Sequence, residues 1–245
     1  MFELIIVLNN CIADYTSVSP NASGGHINPA VTTAFCVLGK TSWLRLPVYW
    51  FGQYFGAAVG ALVVYSIYID SLNVHDKGLR VILGPNGTAG IFASYRAEYL
   101  STVGGVVDQI FGTGFLMLCI MAVTDVRNAN VPRHLVPLLI GLSVTVIGMA
   151  YGANCGYPIN PARDFGPRLV TAIAGWGFDT FRVQNYWFWV PLVAPHIGAI
   201  LGAFLYEFCI GIHWPQEHQI TQDSARRPGT KVIVPVEKYE RSEAM

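Results

Sequence analysis

Apolar and polar stretches alternate along the chain on the scale of a lipid bilayer. Residues 48–72, 104–123, 135–151 and 190–212 are almost wholly apolar. Each can cross a hydrocarbon core as a helix, which takes about 20 residues. Two shorter apolar runs, 28–38 and 160–173, cannot span and predict short helices. Residues 73–103 form a long polar loop between the first two spans. Lys40, Trp43 and Arg45, and later the run Tyr186-Trp187-Phe188-Trp189, mark headgroup level. Residues 1–20 begin apolar but meet Asn9, Asn10 and Asp14, so they do not read as a span. Residues 216–245 turn polar and charged and read as a cytosolic tail. Gly52, Gly56 and Gly60, and again Gly198 and Gly202, recur at four-residue spacing, which lets a second helix approach closely. Gly112 and Gly114 offer the same freedom.

Both short runs open in the same way, on Asn28-Pro29-Ala30 and on Asn160-Pro161-Ala162. Asparagine is a favoured N-cap and proline fits the first helical position, so each triplet predicts a helix start. Three spans separate the two copies, and three is odd. The two short helices therefore enter from opposite faces, as an inverted repeat with two re-entrant half-helices. Their N-termini then meet near the midplane. Backbone that leaves a helix at that depth is tolerable only against protein or water, so a water-lined path follows. Unpaired N–H groups and the positive ends of two helix dipoles point into it. Asn28 and Asn160 add amide donors for a passing oxygen. Cations and protons meet a barrier there, and a neutral hydroxylated solute does not. Arg163 lies one turn after Asn160 on the same face; a charge at membrane depth reads as functional, with an ion pair to Asp164 as the plainer alternative. His26, beside the first triplet, could titrate near neutral pH, or be fixed by loop hydrogen bonds.

Composition narrows the classes further. Charged residues are 12% of the chain, against about a quarter in soluble domains. The formal net charge is zero, which gives no footing for nucleic acid. The five cysteines share no metal-ligand spacing, and an odd number cannot pair completely. No metal, cofactor or enzyme chemistry is expected, because no nucleophile, base and orienting group stand together. A secondary transporter shares inverted repeats but needs acidic coupling residues, for which Asp108 is the main candidate. Asn86-Gly87-Thr88 is a glycosylation sequon on the polar loop, and Asn21-Ala22-Ser23 is a second.

On these residues the chain resembles a known family, the aquaporins, and within it the glycerol-conducting aquaglyceroporins. The resemblance is carried by Ser23 to Thr32, by Gly84 to Gly90, and by Gly156 to Arg168, and it runs from about Asn21 to Pro215. It implies a passive channel for glycerol and water, with urea as a further permeant, in a plasma-membrane homotetramer. It places a narrow filter at Arg163, Tyr157 and Gly148, where glycine leaves room for a three-carbon polyol. Asp164 with Arg168 matches the mark of the glycerol-conducting branch, and Asp164 joins the permeant-contacting set. Pro195 fits the branch, while His196 departs from it. Family members have six full spans, where this chain offers four. The expectation is that the chain on its own does not close a sealed pore. The competing function is a non-conducting family member that acts only as an interaction subunit.

Overall fold

The structure is a computed structural model that describes residues 24–128 and 130–214. The expectations for residues 1–20 and 216–245, and the Asn21 sequon, lie outside the described residues. So does the expectation of an unsealed pore, which rests on residues 1–20. The chain divides into one compact unit, Met1–Glu207, and a second, Phe208–Met245. Every residue of the site belongs to the first.

The described residues are all helix and loop. In order come α1 (Pro29–Val37), α2 (Leu46–Asp76), α3 (Thr102–Thr124), α4 (Val136–Cys155), α5 (Pro161–Thr171) and α6 (Trp189–Cys209). By length and composition, the helices that contain α2, α3, α4 and α6 can each cross a membrane. Both short helices start as the sequence dictates. Asn28 is extended (φ −136°, ψ 117°), and its Oδ1 accepts the Ala30 N–H at 2.9 Å. Asn160 repeats this backbone (φ −146°, ψ 109°), with Oδ1 accepting from Ala162 N at 3.1 Å and Arg163 N at 3.4 Å. Each cap satisfies helix-start donors that would otherwise be orphaned.

Helix ends differ from the simple apolar count. α4 does not stop at Tyr151 but runs to Cys155, where Gly156 turns left-handed (φ +76°) and donates to Gly152 O. Gly152 is thus an interior glycine, and a Cβ there would press on the Tyr157 ring at 3.1 Å. α2 continues past residue 72 to Asp76 and ends on left-handed Lys77 (φ 55°). α5 gives way after Thr171 to a π turn, Ala172–Trp176, closed by Gly175 at φ +119°.

Glycine sets the close contacts. A Cβ at Gly202 would lie 2.3 Å from Gly114 O, and one at Gly198 would lie 2.4 Å from Ile110 O, so α3 and α6 touch backbone to backbone. At Gly166 a Cβ would sit 2.9 Å from Ala58 N and Tyr54 O, which seats α5 on α2. Gly52, Gly56 and Gly60 have nothing within 4 Å among the described residues. The helix contact expected of them is absent there.

The two half-helices come from opposite ends of α2, a 31-residue helix about 45 Å long. α1 ends beside the start of α2. Lys40 follows it and donates to Glu207 at 2.9 Å. α5 ends beside the far end of α2. There Trp176 Nε1 donates to Thr88 Oγ1 at 3.0 Å, Thr88 donates to Asp76 at 3.0 Å, and Arg80 pairs with Asp76 at 3.0 Å. The expected inverted repeat is therefore the architecture of the chain.

Just past α3, Asp125 takes 2.9 Å bonds from Arg127 Nε and Nη2 and a 3.1 Å bond from the Tyr206 hydroxyl. Burial by itself would raise this carboxyl. Arg127's side-chain and backbone donors, its charge and Tyr206 outweigh burial and hold it below the usual carboxylate range. A depressed folded pKa stabilises the fold above the unfolded value, near pH 4, and that contribution is lost as pH falls through the folded value. Arg127→Leu removes most of what lowers this carboxyl, so the variant should be less stable near neutral pH, and the deficit should shrink as pH falls and Asp125 is protonated in both proteins. Thermal denaturation in detergent from neutral to about pH 3 reads the convergence, and a deficit that stays constant across that range would refute the assignment.

Candidate functional site

The site is built where the two helix starts meet. Asn28 Nδ2 donates to Ile159 O at 2.9 Å, and Asn160 Nδ2 donates to Ile27 O at 3.1 Å. Each asparagine thus caps its own helix with its oxygen and grips the residue before the other asparagine with its nitrogen. An amide nitrogen carries two hydrogens. One is spent on the carbonyl, which leaves one N–H on each asparagine for a guest. Pro29, Ala30, Pro161 and Ala162 are buried at these starts.

Polar side chains from two spans support the pair. Gln109 on α3 is fully buried, and its Oε1 accepts the Ile159 N–H at 2.8 Å. Its Nε2 donates to Asp108 at 2.9 Å. Asp108 also takes the Asn154 amide at 2.7 Å and the Cys155 thiol at 3.3 Å. Its carboxylate is thereby occupied in holding the end of α4. On the other side, Gln53 of α2 donates to His26 O at 3.1 Å and to Thr32 Oγ1 at 3.0 Å. His26 Nδ1 lies 3.2 Å from Thr32 Oγ1, and the ring stacks on Tyr49 with centroids 5.1 Å apart. The histidine thus rests between Thr32 of α1 and Tyr49 of α2. Gln53 escaped the sequence reading; the signal was a lone amide inside an apolar span.

The expected filter residues sit around the loop between α4 and α5. That loop turns on left-handed backbone at Gly156, Tyr157 (φ 38°) and Ile159 (φ 35°), a cost that non-glycine residues bear only where the surroundings enforce it. The turn lays the Tyr157 ring back on α4. A Cβ at Gly148 would lie 2.5 Å from Tyr157 Cζ. The Tyr157 ring therefore packs directly over Gly148. Arg163 is half-buried, and its Nη1 is buried with no hydrogen-bond partner among the described residues. It does not pair with Asp164.

Asp164 instead pairs with Arg168, Oδ1 to Nε at 2.9 Å, with both side chains almost fully buried. Its Oδ2 accepts from Ser94 N at 2.7 Å and from the Ser94 hydroxyl. Expected to contact permeant, Asp164 spends both carboxylate oxygens on the fold. His196 rests against Trp50, with centroids 5.3 Å apart, so the departure from the family pattern is packed between α6 and α2. Asn86 is exposed, but Thr88 of its sequon is fully buried in the Asp76–Trp176 cluster. Cys36, Cys119, Cys155 and Cys209 are free thiols.

Two opposed half-helices joined cap to cap inside four apolar spans define an integral membrane protein of the channel type. The chain belongs to the major intrinsic protein family, the aquaporins, whose model matches residues 3–206. It is 51% identical over 215 residues to Aquaporin-10 of Milnesium tardigradum, covering 82% of this chain and 53% of that protein. It is 44% identical over 230 residues to human Aquaporin-9, covering 93% of this chain and 75% of that one. Human Aquaporin-10 is 41% identical, with 89% and 73% covered. The chain thus spans about half the length of the first of these relatives and about three-quarters of the other two. Its fold is similar to the crystal structure of the aquaglyceroporin from Plasmodium falciparum, with a TM-score of 0.76 and 30% identity over 84% of this chain and 81% of that one. The family is one of membrane channels, not enzymes.

Proposed function

We propose that the chain forms a passive channel for glycerol and water that excludes ions and protons. The carrying observation is the reciprocal cap. Each asparagine keeps one N–H free beside two helix starts, and Arg163 adds an unpartnered Nη1 one turn further along α5. Two adjacent donors and the positive ends of two dipoles suit a neutral oxygen and repel a cation. A water that accepts from both donors turns its own hydrogens away from them, which interrupts a proton relay. Asn28, Asn160, Arg163 and Tyr157 are the permeant-facing residues on this reading, with Gly148 acting as the bed of the Tyr157 ring. A homotetramer in the plasma membrane, with lipid around its apolar faces, is part of the same proposal, as is urea as a further permeant.

A channel reading has more support than a non-conducting one, because the pairing at the midplane is complete in this chain. The test is light scattering from proteoliposomes that hold the full chain under an inward glycerol gradient. Swelling should exceed that of protein-free vesicles, while a pH-sensitive dye inside reports no proton entry. No swelling above the lipid background would remove the reading, and proton entry would remove its exclusion claim.

A further inference from the structure

Four consecutive residues of the polar loop, Ser94 to Ala97, are each tied to a distant part of the chain. Ser94 gives its N–H and hydroxyl to Asp164, and its carbonyl accepts from Arg168 Nη2. The Tyr95 ring lies against the Arg168 guanidinium, 4.6 Å from centroid to Cζ. Arg96 makes a reciprocal pair with the Gln184 amide: its N–H donates to Oε1 at 2.9 Å, and Gln184 Nε2 donates to its carbonyl at 2.7 Å. Ala97 N donates to Asn154 O at 2.8 Å. One end of this segment is thus bonded to Asp164, the neighbour of Arg163. Its other end is bonded to Asn154, three residues before Tyr157.

We infer that Ser94–Ala97 is a brace across the constriction, and that Ser94 and Gln184 are positioning residues for its size cut-off. The inference rests on the channel reading above, in which Tyr157 and Arg163 form two sides of that constriction. Tyr157 is carried by the end of α4 and Arg163 by the first turn of α5. The loop between them is short but bends at three left-handed residues, Gly156, Tyr157 and Ile159, so it does not fix their separation alone. The brace bonds both carriers through four consecutive residues that belong to no helix. Its buried anchor at Arg168 also donates to Thr180 O at 2.8 Å, which ties it to a further segment. Neither Ser94 nor Gln184 need touch the permeant; each holds apart the residues that do.

The test compares glycerol with ribitol, a five-carbon polyol, in proteoliposomes that hold the full chain. The unaltered chain should pass glycerol and retard ribitol. Ser94→Ala and, separately, Gln184→Ala should each raise the ribitol-to-glycerol ratio several-fold, with glycerol flux little changed. The ratio is the decisive reading, because general weakening of the fold lowers both fluxes together. Thermal stability is followed alongside. Should Ser94→Ala fail to assemble, Gln184→Ala still decides, since it loosens the brace from a turn outside α1 to α6. Lower stability with an unmoved ratio overturns the brace and leaves the channel reading standing. No glycerol flux from the unaltered chain overturns both.

Discussion

Gly148→His is expected to cut glycerol flux by about tenfold or more, a barrier increase of about 1.4 kcal/mol, and to spare water flux by comparison. The cause is the seat of the Tyr157 ring. A Cβ at position 148 would stand 2.5, 2.8 and 2.9 Å from three atoms of that ring, closer than real contacts come. The ring must leave, and its backbone has little slack. Tyr157 is held at φ 38° between Gly156 and Ile159, and the Ile159 N–H is fixed on Gln109. A displaced ring then enters the path, and the imidazole adds its own bulk. Gly148→Ala separates the two contributions, because it carries the clash without the imidazole. Water needs a smaller opening than a three-carbon polyol, so the two fluxes should diverge in paired swelling assays. Equal losses of both would show that position 148 does not act through size.

Asp164→Ala is expected to destabilise the protein by about 3–5 kcal/mol, read by thermal unfolding in detergent. The substitution strands the fully buried Arg168 without its counter-charge and strips Ser94 of its acceptor. An uncompensated buried charge costs far more than the net worth of the pair. Asp164→Leu combined with Arg168→Met should therefore recover most of the loss, since both charges leave together. A single-variant loss below about 1 kcal/mol would be the behaviour of a solvated surface pair and would contradict the burial described.

The helix starts were legible because their cause is local. Asn28 and Asn160 cap within two or three residues, and proline follows each. The odd number of spans between them is also countable, and it fixes their opposition. What could not be read depends on chain that returns from a distance. Asp164 finds Ser94 across 70 residues, so the sequence suggested its neighbour Arg163 instead. That the Tyr157 ring folds back over Gly148 could not be read locally, because the left-handed backbone that does this belongs to residues with side chains. Gln53 and Gln109 are amides in apolar spans, but composition cannot flag their bonds to distant main-chain groups at His26 and Ile159.

The crossed asparagine bonds also impose an order of events during synthesis. They join residues 131 and 133 positions apart. At about 5–20 residues per second, the carbonyl that receives Asn28 emerges on the order of ten seconds after Asn28 itself. Through that interval the Asn28 amide and the Ile27 carbonyl lack their mates and can lie only in water or against protein, not in lipid. α1 therefore cannot reach its final contacts before the start of α5 has been made, and the junction of the two half-helices closes only after the spans α2, α3 and α4.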